Sequence, residues 1–159
     1  MTLRAVAKAV GLSHNAPYKH FHNKEELLAA VASRELARPG DAPLELGGDP
    51  VARLRRLAQG YVDWATRYPE RFRLTFGSWQ SGSNELAETA TAARARVVAT
   101  VAEAQAAGRL PPGDPERITS LILALAHGAA DLALSGHLAR DGKGHADPGD
   151  LLDLSLIHI

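Results

Sequence analysis

The sequence predicts an all-α fold, on three observations. Apolar residues recur at i, i+3, i+4 and i+7 along most of the chain, the period of a helix with one buried face. Asp-Pro pairs stand at Asp49-Pro50, Asp114-Pro115 and Asp147-Pro148, each fitting an N-capping aspartate with proline at the first helical position, where its missing N–H costs nothing. No strand-like alternation of apolar and polar residues survives anywhere, and no repeat period is evident.

Each element follows in order. Leu3, Val6, Ala7 and Val10 share one face of a short amphipathic helix that starts near Thr2. Gly11 ends it, because glycine tolerates the left-handed conformation of a helix C-terminus. Ser13 is placed to cap a second helix running through Phe21, with Leu12 pinned in the turn. Asn23 and Glu26 resemble a capping box and open a longer helix expected to bury Leu27, Leu28, Val31 and Leu36. Residues 39–49, rich in Pro, Gly and Asp, form the first clear loop. Helices are then expected over 50–68, 70–77, 84–107, 115–137 and from 148 onward.

Hydrophobic residues make up 45% of the 159, enough for a real core and too many for a disordered chain. There are no cysteines, so disulfide and thiolate chemistry are excluded and a reducing cytoplasm is the natural setting. No signal peptide is visible, since Met1 leads straight into a patterned helix. The most apolar stretch, Ile118 to Leu134, is broken by Thr119, Ser120, His127 and Asp131 and reads as a buried helix, with no membrane role. The net charge of zero hides an asymmetry. Residues 1–24 carry Arg4, Lys8, Lys19 and Lys24 and no acid, so all 18 acids fall in the remainder. A basic helix pair ahead of an acidic body points to a nucleic-acid module with a separate partner domain.

Two helices joined by a glycine turn make a helix-turn-helix, whose second helix meets base edges in the major groove with its first residues. Here those residues are His14, Asn15 and Ala16. Asn15 can pair bidentately with adenine, His14 can meet a guanine acceptor, and Ala16 can touch a thymine methyl. Tyr18, Lys19, His20 and Lys24 are placed to hold phosphates, Lys24 at a helix N-terminus whose free N–H groups also attract anions. A metal site does not fit: His14 and His20 are six apart on a helix and His20 and His22 two apart, so neither pair shares a face. No metal and no cofactor is called for.

The stretch "TLRAVAKAVGLSHNAPYKHFHNKEELLAAVA" resembles the helix-turn-helix of the tetracycline-repressor family of dimeric bacterial transcription regulators. The resemblance rests on Leu3-Arg4, Ala7, Gly11-Leu12-Ser13, Tyr18, His20-Phe21, Lys24-Glu25 and Leu27. It implies that Arg4, His14, Asn15 and Tyr18 face bases, and that Thr2, Ser13, Lys19, His20 and Lys24 face phosphates. Pro17 departs from the commoner Leu or Ile and removes one early helix hydrogen bond. "LAHGAADLALSGHL" (Leu125–Leu138) resembles the WHG-type regulatory domain found behind such heads, with Ala126 in place of its tryptophan, and "YPERFRLTFG" and "AQAAGRLPPGDPE" resemble its middle section. The implied organisation is a head with its linking helix over 1–38 and a regulatory and dimerisation domain over 49–153. The family carries a further helix ahead of the segment beginning at Thr2, so the head is expected to be incomplete here. Residues 154–159 ("LSLIHI") read as one frame of a transposon-end sequence used in sequencing libraries and are expected to be a non-native tail.

Tyr61, Trp64, Tyr68, Phe72, Phe76 and Trp79 fall in one short region, with Trp64/Tyr68 and Phe72/Phe76 as i, i+4 pairs. Some of these rings simply fill a core. A pocket built from Trp64, Tyr68, Phe72 and Trp79 would suit an apolar or aromatic small molecule, with His127 and Asp131, four apart on an apolar helix, as polar anchors. Those two could equally satisfy one another. Ala124, Gly128 and Ala129 make a small-sided stripe suited to close helix approach in a homodimer. The expected function is a ligand-responsive repressor that reads a double-stranded operator as a dimer and is not an enzyme. The competing readings are an α-helical enzyme using His127 with Asp131, and an interaction module whose basic end is incidental.

Overall fold

The computed structural model describes residues 2–38, 48–77 and 83–158, with side chains described through Asp153. The elements among the described residues are helical: α1 (Leu3–Ala9), a 3-10 turn (Pro17–Lys19), α2 (Lys24–Ala37), α3 (Pro50–Arg67), α4 (Pro69–Thr75), α5 (Asn84–Ala106), α6 (Pro115–Leu134) and α7 (Pro148–His158). Apart from an isolated bridge between Ala139 and Gly144, no strand pairing occurs among the described residues. The expected loop at 39–49 falls mostly outside them, as does Trp79.

Local chemistry sets the boundaries. Asp49 and Asp114 each turn a carboxylate back onto the backbone N–H two residues on, at Val51 (3.3 Å) and Glu116 (2.9 Å), ahead of the prolines that open α3 and α6. Asp147 does the same for Gly149 at 2.8 Å before α7. At the end of α1, Gly11 takes φ +73 and closes the helix doubly: its N–H bonds the Lys8 carbonyl and that of Leu12 bonds the Ala7 carbonyl. Only glycine takes this left-handed geometry without a Cβ penalty.

One sequence expectation fails here. The predicted helix from Ser13 through Phe21 is present only as the 3-10 turn Pro17–Lys19, and Ser13 caps nothing. Pro17 is the cause. It has no N–H to give the Ser13 carbonyl, which Ala16 takes instead at 3.0 Å, and the chain continues in i→i+3 bonds from Tyr18 to Asn15, Lys19 to Ala16 and His20 to Pro17. A single i→i+4 bond, Phe21 to Pro17, closes the run.

The body is a bundle in which α3 packs against α5, α6 and α7, while α6 packs against α5 and α7. Its core includes Leu54, Val62, Phe72, Val101, Ile122, Ala126 and Leu152. Helix α2 lies on α5 and α4. Of the predicted Leu27, Leu28, Val31 and Leu36, three (Leu27, Leu28 and Leu36) are only half-buried. Ala29, Ala32 and Ser33 are buried instead, and Val31 is exposed. Small side chains win these positions because they let α2 lie close against the Ala-rich α5. Likewise Ala129 of the predicted small-sided stripe turns into its own core, leaving Ala124 and Gly128 outward.

Candidate nucleic-acid interface and effector site

At the head, Thr2 caps α1 by accepting the Ala5 N–H at 3.2 Å, so its hydroxyl is fixed at the helix start. Arg4, Ser13, His14, Asn15, Tyr18, Lys19, His20 and Lys24 are all exposed, and Ala16 is half-buried. Tyr18 is 48% exposed, unusual for a ring that a core could have used. His14, Asn15 and Ala16 lie in the turn leading to Pro17 rather than in the first turn of an α-helix. The capping box also differs in detail. Asn23 accepts the Glu26 N–H at 2.9 Å as expected, but Glu26 returns to His22, accepting its backbone N–H at 2.7 Å and lying 3.0 Å from Nδ1. These bonds, the backbone one first, hold the Glu26 carboxyl below its ordinary value of 4.5. They also tie the end of the recognition segment to the start of α2.

In the body, five rings from three helices meet. Phe72 of α4 and Phe76, which caps that helix, lie 4.9 and 5.3 Å from the His127 ring of α6, centroid to centroid. Tyr61 of α3 packs against Phe72 at 6.0 Å and Phe76 at 5.6 Å. Trp64 lies 6.1 Å from both Tyr61 and Phe72, in tilted or edge-on contacts that suit the ring quadrupoles. His127 is half-buried, and its polar partner is Tyr61: the hydroxyl and Nδ1 share a hydrogen bond at 2.8 Å. Burial pushes the Tyr61 phenol well above its usual range, so it stays protonated. In the tautomer where Tyr61 donates to Nδ1, Nε2 carries the proton and is left as a donor.

Of the predicted ligand residues, Trp64, Phe72 and His127 come together; two do not join them. Tyr68 breaks the chain between α3 and α4 (φ −130), which turns its ring under the guanidinium groups of Arg71 (4.7 Å) and Arg67 (5.6 Å). Asp131 is exposed and is not the partner of His127. The sequence pairs Phe76 with Phe72 at i, i+4 and places Tyr61 in the same aromatic region, without naming either as a ligand residue; the i−3 spacing of Tyr61 from Trp64 was a further signal. It missed Thr75, one turn beyond Phe72, whose hydroxyl is buried without a partner. It also missed Glu35. Among the described residues no three His, Cys, Asp or Glu side chains group as metal ligands do.

A basic helix-turn-helix on a linking helix, followed by a helical bundle, defines a DNA-binding regulator. Residues 1–31 match the family described as "Bacterial regulatory proteins, tetR family", and residues 54–157 match "Tetracyclin repressor-like, C-terminal domain". The chain belongs to the tetracycline-repressor family. Among solved structures it is similar to a protein of unknown function from Rhodococcus sp. RHA1, with 32% identity and a TM-score of 0.82, covering 99% of this chain and 82% of that one. It also shares a fold with AibR, solved in complex with isovaleryl coenzyme A and operator DNA, at 18% identity and a TM-score of 0.66 over 100% of this chain and 86% of that one. No curated protein matched the sequence. The protein is a DNA-binding transcriptional regulator that reads its operator through the helix-turn-helix.

Proposed function

We propose that the protein is a ligand-responsive repressor, acting in the cytoplasm as a homodimer, whose operator affinity is set by a small molecule in the aromatic cluster. The observation that carries the DNA-facing half is the acid-free head, in which every predicted contact except Ala16 is exposed. Asn15 and His14, with Arg4 and Tyr18, are the base-facing groups. Thr2, Ser13, Lys19, His20 and Lys24 hold phosphates, and Ala16 offers a methyl contact. The effector is apolar or aromatic with one hydrogen-bonding group, because rings line the cluster while the Tyr61–His127 pair supplies its polar atoms. Its site comprises Tyr61, Trp64, Phe72, Phe76 and His127. AibR, solved with both an acyl thioester and operator DNA, supports a two-ligand reading by likeness of fold.

The enzyme reading loses its motivating pair, since His127 bonds Tyr61 and Asp131 stands apart on the surface. Selection of bound duplexes from a random pool tests the DNA half. Asn15→Ala should cost about 1–3 kcal/mol on the selected duplex and little on random DNA. Lys24→Ala should weaken both alike and lower the salt slope by about one ion. Equal losses for Asn15→Ala on both DNAs would remove the base-reading role. For the effector half, a panel of small aromatic alcohols, acids and hydrocarbons is screened for tryptophan quenching, a higher melting temperature and release of the duplex. Stabilisation without release would leave a binding site that controls nothing.

A further inference from the structure

Glu35 stands near the end of α2, the helix that joins head to body, with its side chain only 9% exposed. Three donors converge on its carboxylate. Trp64 Nε1 of α3 donates to Oε2 at 3.3 Å, Arg71 of α4 donates to Oε1 at 3.3 Å, and Arg38, at the end of α2 itself, approaches Oε2 at 3.5 Å. Trp64 is at the same time a member of the ring cluster, and the Arg71 guanidinium rests on the Tyr68 ring. One carboxylate therefore touches the cluster, the short helix that carries Phe72 and is capped by Phe76, and the helix that carries the head.

The residues that α2 buries fully are small. They are two alanines and a serine, with Leu27, Leu28 and Leu36 half-buried, and polar bonds also tie the helix to the body: Ser33 Oγ lies 2.8 Å from Thr89 Oγ1, and Arg96 donates to the Leu36 carbonyl at 3.4 Å. A joint in which several directional bonds meet on one carboxylate has only a few arrangements that satisfy every donor. A nearly buried carboxylate that loses a donor must also follow it or find another, because leaving it unmet carries a desolvation cost. Such a joint shifts in steps rather than by gradual deformation.

We infer that Glu35 is the positioning residue through which the aromatic cluster sets the placement of the head. A molecule entering the cluster displaces the Trp64 ring; Glu35 follows Trp64 and Arg71, and the end of α2 moves with it. This rests on the reading that the body responds to a small molecule and reports to the head. Coupling of binding is reciprocal, so a duplex bound at the head must alter the body by the same route. The test therefore needs no knowledge of the effector, and its probe is a duplex selected by the protein from a random pool.

Hydrogen exchange over residues 50–76 is measured, free and duplex-bound, in the full chain and in its Glu35→Ala and Trp64→Phe variants. Phenylalanine keeps a ring in the cluster but has no N–H to donate, so it interrogates the joint even if Glu35→Ala folds poorly. The duplex is expected to change exchange in the unaltered chain, and that change is expected to fall at least ~5-fold in the variants while the duplex still binds. A change that persists at full size in Trp64→Phe overturns the role of Glu35 and leaves head-to-body coupling standing. No change in the unaltered chain overturns both.

Discussion

Thr75 and Thr119 bury their hydroxyls, at 6% and 2% residue exposure, with no hydrogen-bond partner. A buried hydroxyl left unmet costs more than it returns, so the free protein is less stable than it need be at these points. Thr75→Val keeps the shape and removes the unmet group. It is expected to stabilise the free protein by roughly 1 kcal/mol, about 3 °C in melting temperature for a chain of this size, while weakening any effector that bonds the hydroxyl. A lower melting temperature for Thr75→Val would show that the hydroxyl already has a partner. At this scale the sequence was least legible. His127 was recognisable as a polar residue on an apolar helix, yet its partner lies on α3, 66 positions away, rather than one turn along at Asp131. Spacing along one helix cannot reveal a bond that exists only once three helices pack.

Helix ends were far more legible, because their causes are local. The Asp-Pro caps and Gly11 announce themselves within four residues, and α3, α6 and α7 begin where the caps put them. The second helix differs because of Pro17: a capping serine suggests an α-helix, and the missing N–H at a single residue turns it into i→i+3 turns. The link between this segment and α2 carries a pH signature. Glu26 has its folded-state value lowered by the bonds to His22, so the link is fully present above the unfolded value near 4.5 and is lost as pH falls through the lower, folded value. Exchange protection at the start of α2 is expected to drop on acidification in that window. Glu26→Gln should abolish the acid dependence there; a drop that survives the substitution would place its origin elsewhere.

For the molecule as a whole, the outward face of α6 is the feature the core does not explain. Leu121 (46%), Leu125 (38%) and Leu132 (46%) are exposed, with Ala124 and Gly128 between them and Leu151 (38%) on the neighbouring α7. Leu121, Leu125, Gly128 and Leu132 share one face at helical spacing, and a contiguous apolar stripe on a water-facing surface marks an interface. Helix α6 is long and apolar enough by composition to cross a membrane, but its other face is committed to the bundle core through Ile122, Ala126, Ala129 and Ala130. We propose that the stripe seats a second copy of the chain. Leu125→Glu is expected to convert dimer to monomer in sedimentation and to reduce operator affinity by more than tenfold, since two heads then bind independently. A dimer unaffected by Leu125→Glu would move the interface to another face.

The 3-10 character of the recognition segment has a calorimetric consequence. A segment of i→i+3 turns with exposed side chains has few interior contacts holding its shape, so fitting the major groove must order it further. Ordering on contact buries surface beyond the interface itself and makes the heat-capacity change of binding more negative. Random DNA, held through phosphates alone, has no need of that ordering. The difference in heat capacity between operator and random duplex therefore measures how much of the reading element is completed by the DNA it reads.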